Sequence, residues 1–202
     1  MVESYVLNHP WLPAALWIVL LVGDYYLTLW GARLYRAQHV YQIEGSYELN
    51  PLYERDVDRQ RLFSGWLLLW VIVGAALLLG GYAVEAKYAY GVVVGCMIVG
   101  DIGIWMGHLE NITALRGICG RRPGVIGQVR SSRENTYRRS SFRFAMLGLL
   151  AVVLFVLTGS AMILGGCLAF GGLAANDLRL SKRYSSPAAS SDPAPGAEEE
   201  TL

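Results

Sequence analysis

The chain has 202 residues, of which 54% are hydrophobic and 16% are charged, and its formal net charge is +1. This balance indicates no partner class, and no nucleic-acid partner is expected. Charged residues are scarce beside the roughly 25% of soluble domains. They are absent from two long apolar segments, which excludes an ordinary soluble domain.

Four apolar segments are predicted to cross a membrane as helices, because about 20 apolar residues span a hydrocarbon core of roughly 30 Å. Tryptophan and tyrosine lie near the ends of these segments, as interfacial anchors do. The predicted fold is all-α, an integral membrane bundle of four transmembrane helices in residues 1–184, with spans at about residues 11–30, 62–84, 88–108 and 144–175. The last segment is longer than one span requires. Two spans and a turn do not fit into its length, so one span is predicted.

The connecting segments differ in charge. Residues 31–61 carry five arginines and the helix-start signal Asn50-Pro51, so the second helix is predicted to begin near Pro51. Residues 109–143 carry eight arginines against two glutamates. Residues 185–202 are polar and rich in Pro, Ala and Ser, and are predicted to form a disordered tail.

The positive charges predict an orientation, because cytoplasmic loops carry an excess of Lys and Arg. The loops after the first and third spans hold 13 of the 17 Lys and Arg residues. Both loops are therefore predicted to be cytoplasmic, with both termini outside the cell membrane. Three cations after the fourth span argue against this orientation: Arg179, Lys182 and Arg183.

Two carboxylates lie within the predicted spans, Asp24 in the first and Asp101 in the third. An aspartate at mid-helix costs about 2.5–3.5 kcal/mol to insert, so such residues face the bundle interior, water or a partner. Each is the fourteenth residue of its apolar segment, and the first and third spans run in the same direction. We therefore expect Asp24 and Asp101 to lie at similar depth and to face each other.

Other polar residues are predicted to join these carboxylates in a pocket that opens toward the first and third loops. Helical spacing places Thr28 one turn after Asp24 and puts Asp101, His108 and Asn111 on one stripe. The pocket candidates are Asp24, Thr28, Glu48, Asn50, Asp101, His108 and Asn111.

Two kinds of chemistry fit this pocket. Carboxylate and imidazole groups bind divalent cations such as Zn, Mn or Mg, and the candidate metal ligands are Asp24, Asp101, His108 and Glu48. Two desolvated aspartates also share a proton, which suits acid–base chemistry or proton transfer. Interhelical hydrogen bonding without a functional role is an equally supported interpretation.

Basic and small residues predict further contacts. Arginines of the third loop are candidates for binding lipid headgroups, although fixing the topology alone explains them at least as well. These candidates are Arg116, Arg121, Arg122, Arg138 and Arg139. The pairs Gly91/Gly95 and Gly103/Gly107 predict a close-packed face on the third helix, for a neighbour in the bundle or for a homo-oligomer.

A short signature in about the first 80 residues resembles that of a family of small, uncharacterised prokaryotic polytopic membrane proteins. Such proteins carry Asp-x-x-x-Thr in the first span, followed by Glu-Leu-Asn-Pro at the entry to the second. The chain departs from the family in a longer insert (residues 32–46) and in lacking a lysine in the second span. The resemblance implies a grouping of Asp24, Thr28, Glu48 and Asn50 but no activity.

Three classes of function fit these features. The favoured interpretation is a non-catalytic membrane subunit or scaffold, in contact with the lipid bilayer and with a homo-oligomer or a larger membrane complex. One alternative is a cation-dependent intramembrane hydrolase that uses the four candidate metal ligands. The other is a cation or proton channel or carrier that uses Asp24 and Asp101 as relay sites.

Overall fold

The computed structural model of the chain describes residues 2–38, 41–43, 47–48, 50–84, 86–119 and 129–185. Within these residues the chain forms seven helices, which are α1 (Val2–Asn8), α2 (Trp11–Arg36), α3 (Pro51–Asp58), α4 (Gly65–Tyr82), α5 (Lys87–Cys119), α6 (Arg133–Thr158) and α7 (Ala161–Tyr184). Two three-residue strands, β1 (Tyr41–Ile43) and β2 (Val129–Ser131), pair in parallel. Because this pairing is so short, the all-α prediction is confirmed. Of the predicted tail, only Ser185 lies within the described residues.

Five helices are long and apolar enough to cross a membrane, namely α2, α4, α5 as far as Gly117, α6 and α7. They make the chain compatible with a polytopic membrane protein. The predicted count of four spans is not confirmed. The first three predicted spans correspond to α2, α4 and α5, and the difference lies in the fourth.

The single helix predicted over residues 144–175 is wrong, because the structure has α6 and α7 there. Gly159 ends α6 in the left-handed conformation, with φ at 63°, which costs glycine little. Ser160 then caps α7, its side chain accepting a hydrogen bond from Ile163 N at 3.3 Å. Two helices fit because α6 begins at Arg133, before the uncharged run, and α7 continues to Tyr184 beyond it.

The predicted start of the second helix is correct in part. Asn50 caps a helix that begins at Pro51, and its side chain accepts a hydrogen bond from Leu52 N at 3.1 Å. That helix is the separate α3, because the chain leaves it through Gln60, a residue with a positive φ of 52°. The apolar helix α4, which is long enough to cross a membrane, begins only at Gly65.

The helices pack side by side in the order α4, α2, α5, α7, α6. We call the end where α2 and α5 finish the loop end. There α4 and α6 begin, and α3 and the two strands lie between the helices. α6 packs along α7 but touches α5 very little, which leaves space between α5 and α6. At the opposite end, the Glu3 side chain of α1 accepts a hydrogen bond from Met162 N of α7 at 3.2 Å.

Glycines bring α5 and α7 into backbone contact. A Cβ atom at Gly95 would collide with the Met162 carbonyl, and one at Gly165 would collide with backbone atoms of Val92 and Cys96. About two turns after Gly95 on α5, Gly103 lies against the Phe170 ring of α7. The small-residue face predicted on this helix therefore packs against α7 of the same chain.

Replacing Gly165 by Ala should destabilise the protein, because the added methyl group has no room between the two backbones. We expect Tm in detergent to fall by on the order of 5–10 °C. Gly172→Ala is the matched control on the same helix, since a Cβ there meets nothing within 4 Å, and it should not lower Tm. Equal melting temperatures for Gly165→Ala and the wild type would contradict the close crossing.

Candidate functional site

The relative position of α2 and α5 is fixed by Trp105 of α5. Its indole Nε1 donates a hydrogen bond to the Leu20 carbonyl at 2.7 Å. The same ring lies directly on Gly23, where any Cβ atom would overlap it. One turn nearer the loop end, this docking brings His108 of α5 against α2.

The His108 imidazole contacts two polar groups of α2. Its Nε2 atom lies 3.0 Å from Asp24 Oδ1 and 3.3 Å from Thr28 Oγ1. The Thr28 hydroxyl donates to the Asp24 carbonyl at 3.0 Å, so its oxygen is free to accept from Nε2–H. The Asp24 carboxylate lies within ion-pair distance of the same nitrogen. The side chains of His108 and Asp24 are 19% and 26% exposed. At this burial the contact is screened less than a surface ion pair.

Asp101 lies about two helical turns before His108 on α5, and its predicted pairing with Asp24 stays a prediction. It is close enough for its charge to interact with that of Asp24. However, the side chain in contact with the Asp24 carboxylate is His108 rather than Asp101. Asp101 Oδ2 is buried and makes no hydrogen bond to the described part of the chain. The same holds for His108 Nδ1.

The first loop brings Glu48 and Asn50 to the same region. Glu48 Oε1 accepts a hydrogen bond from Asn50 N at 2.7 Å, which holds the carboxyl group at the start of α3. Burial raises the pKa of Glu48 from 4.5 to about 7, and the negative charge of Asp24 adds to this effect. Burial likewise raises the pKa of Tyr53 to about 12, with Asp24 and Glu48 contributing.

These side chains line a cavity of about 1240 Å³ at the loop end, between α2, α3 and α5 on one side and α6 and α7 on the other. The cavity is somewhat larger than the 300–1,000 Å³ typical of small-molecule sites. Six of the seven predicted pocket residues line it, and Asp101 does not. The six are Asp24, Thr28, Glu48, Asn50, His108 and Asn111.

The far wall of the cavity contains polar residues that sequence reasoning missed. The Arg143 guanidinium lies on Gly107, and its Nη1 is 3.4 Å from Glu110 Oε2. Arg143 Nε is buried and has no hydrogen-bond partner among the residues described. Asn176 and Asp177 of α7 also line this wall.

These residues were missed for identifiable reasons. Arg143 was counted only as a loop charge, although it lies on α6, a helix long and apolar enough to cross a membrane. Asn176 and Asp177 follow the apolar run, and a four-span topology places them at the opposite end of the bundle. The Gly159-Ser160 pair could have predicted two helices in this segment, because glycine is common at helix ends and serine is a preferred helix N-cap.

The predicted metal site stays a prediction. Among the described residues, no three side chains of His, Cys, Asp or Glu are placed so as to hold a metal ion. The structure brings together Asp24 and His108, with Glu48 in the same cavity.

The predicted lipid-binding arginines occupy different positions. Arg116 stacks on Trp30 of α2, with 4.4 Å from its guanidinium carbon to the ring centroid. Arg138 and Arg139 are exposed on α6, and Arg139 lines the cavity. Arg121 and Arg122 lie outside the described residues.

No protein-family model, no curated protein and no solved structure matches the chain.

The pKa of Glu48 predicts a pH-dependent stability. Between about pH 4.5 and pH 7 the unfolded chain releases the Glu48 proton while the folded protein retains it. Wild-type stability should therefore fall as the pH rises through this window. Glu48→Gln removes the penalty and should raise Tm at pH 8 by about 2–4 °C, with no gain at pH 4.5. Glu134→Gln is the control and should show no such pH-dependent gain, and an equal gain in both variants would contradict the assignment.

Proposed function

We propose that this chain is a membrane subunit that spans the bilayer with five helices and binds a ligand in the cavity at the loop end. The observation that carries the proposal is the convergence of polar side chains on one large cavity. Residues of α2, α3, α5, α6, α7 and the first loop all contribute to its lining. Several of them, including Asp24 and His108, lie on helices that span the membrane, where polar groups are costly unless they are used.

The family resemblance supports the same proposal. It groups Asp24, Thr28, Glu48 and Asn50, and these four residues line one cavity. A shared binding site gives a physical reason for a signature that is split between the first span and the first loop.

The five-helix topology gives a consistent orientation. If α6 and α7 both cross the bilayer, the C-terminal end of α7 lies on the same side as the loops after α2 and α5. Of the seventeen Lys and Arg residues, all but Lys87 then belong to this side. The positive-inside rule places this side in the cytoplasm. Of the two termini, only the N-terminus then lies outside.

A cysteine-labelling experiment tests this topology. Single cysteines at Ser4, Ser132 and Ser185 are introduced after the three native cysteines are replaced. With an impermeant maleimide on intact cells, we expect labelling at Ser4 and protection at Ser132 and Ser185 until the membrane is permeabilised. External labelling at Ser185 together with protection at Ser132 would contradict five spans and support the four-span topology. External labelling at Ser132 would invert the orientation.

Acid–base chemistry is a second candidate for the same cavity, and the His108–Asp24 contact favours it. A carboxylate holds one imidazole nitrogen of His108, and such an arrangement suits proton transfer. Both the hydrolase and the proton-carrier alternatives use this feature. Proton flux into liposomes that is lost in His108→Gln would favour the carrier, and hydrolysis of a bound molecule would favour the hydrolase.

The binding proposal is tested by native mass spectrometry of protein extracted in mild detergent. We expect the wild type to retain a bound molecule of defined mass. Ala114→Trp should lose it, because Ala114 lines the cavity and its side chain has room to grow into the space.

The matched control is Ala145→Trp, an exposed position on α6 outside the cavity lining. This variant should retain the bound molecule. Identical spectra for the wild type and Ala114→Trp would contradict a ligand-binding role for the cavity.

A further inference from the structure

The cavity continues into an apolar groove along α6. A second cavity of about 140 Å³ is lined only by apolar side chains of α5, α6 and α7. Leu147 and Leu150 line both cavities, so the two adjoin at these side chains. Leu154 also lines the second cavity, and it lies about 16 Å along the helix from Arg143. Together they form one path that is polar at the loop end and apolar within the membrane.

The polar end of this path carries charges of both signs, on different helices. Asp24 and Glu48 enter from α2 and the first loop, beside the Tyr53 ring. Arg139 and Arg143 enter from α6, where the Glu110 carboxylate of α5 lies 3.4 Å from Arg143 and Asp177 of α7 also lines the cavity. Arg143 Nε has no hydrogen-bond partner among the described residues, which leaves a donor available to an anionic group.

These features match the parts of an amphiphile. An ammonium group is attracted to carboxylates and to aromatic rings. A phosphate group is a preferred partner of arginine, which can bind it through several N–H donors. A hydrocarbon chain gains free energy from filling an apolar groove. The cavity lining contains both carboxylates and arginines, which suits a headgroup that carries both signs better than a purely anionic one.

We propose that the ligand of this cavity is a membrane phospholipid with a zwitterionic, amine-bearing headgroup. Its phosphate lies near Arg139 and Arg143, its ammonium group lies near Asp24 and Glu48, and one hydrocarbon chain follows α6 toward Leu154. This assignment rests on the proposed function, namely that the cavity binds a ligand.

Three probes separate the contributions of the headgroup and the chain in native mass spectrometry of the delipidated full-length protein at pH 8. They are phosphatidylethanolamine, phosphatidylglycerol with the same chains, and water-soluble phosphoethanolamine. We expect phosphatidylethanolamine to bind at least ten-fold more tightly than phosphatidylglycerol. Phosphoethanolamine, which lacks the chains, should bind at least ten-fold more weakly than the intact lipid.

Substitutions in the groove and at the polar end sharpen the test. Leu150→Trp should weaken phosphatidylethanolamine binding at least ten-fold, whereas Leu149→Trp, an equally exposed neighbour that lines neither cavity, should not. Leu154→Trp provides a second groove variant if Leu150→Trp fails to fold. Glu48→Gln should reduce the preference for the amine-bearing lipid.

The outcomes distinguish this proposal from the function on which it rests. Equal affinity for the two lipids overturns the amine site, and tight binding of phosphoethanolamine overturns the chain path. Equal effects of tryptophan at positions 149 and 150 also overturn the chain path. In each of these cases binding that is lost in Ala114→Trp leaves the cavity function intact. If all three probes bind the wild type and Ala114→Trp alike, both proposals fail.

Discussion

The backbone contact between α5 and α7 determines the arrangement of the rest of the bundle. Gly95 and Gly165 allow the two helices to approach until main-chain atoms touch, a mode of packing that small residues make possible in membranes. Because α7 occupies this face of α5, α6 is displaced to the outer side of α7. It is anchored there by the stacked rings of Phe144 and Phe170, whose centroids are 6.3 Å apart. The space left between α5 and α6 is the cavity.

The polar end of the cavity is stabilised by contacts between separate segments. Asp24 is matched by His108, and Glu48 is held by a main-chain donor at the start of α3. Burial of the Glu48 carboxylate is unfavourable and raises the pKa of this group to about 7, and the nearby negative charge of Asp24 adds to the cost. A cation or an ammonium group in this region would offset that cost, whereas an additional anion would increase it.

Helical spacing and the direction of the spans were sufficient to predict much of this site. Because the first and third predicted spans cross in the same direction, α2 and α5 were expected to be parallel. The matched positions of Asp24 and Asp101 in these spans then placed Asp24 near the stripe that contains His108. Spacing alone did not determine which residue of the stripe touches Asp24. That depends on Trp105, whose ring lies on Gly23 and sets the offset between the two helices. Such an offset is a property of packing and leaves no periodic pattern in the sequence.

The second half of the fold was less predictable, because the α6–α7 hairpin depends on residues outside the apolar run. Residues 133–143 are rich in arginine, so hydropathy alone predicts a charged loop there. The structure makes these residues helical, with Ser132 capping the first turn through its side chain. The wall that contributes Arg139, Arg143 and Asp177 to the cavity could be placed only once this hairpin was known.

The surroundings of the cavity also bear on how the proposed ligand would reach it. Arg133 of α6 contacts Glu54 of α3 at 3.2 Å and donates to the Tyr184 hydroxyl of α7 at 3.3 Å. These contacts tie α3 to the start of α6 and the end of α7. Between α5 and α6, by contrast, the cavity is bordered by the exposed apolar side chains Phe142, Met146 and Leu150. Because α6 is long and apolar enough to cross a membrane, the proposed lipid ligand would enter the cavity laterally, from the bilayer. A molecule already resident in the membrane can follow this route without transferring its hydrocarbon chain through water.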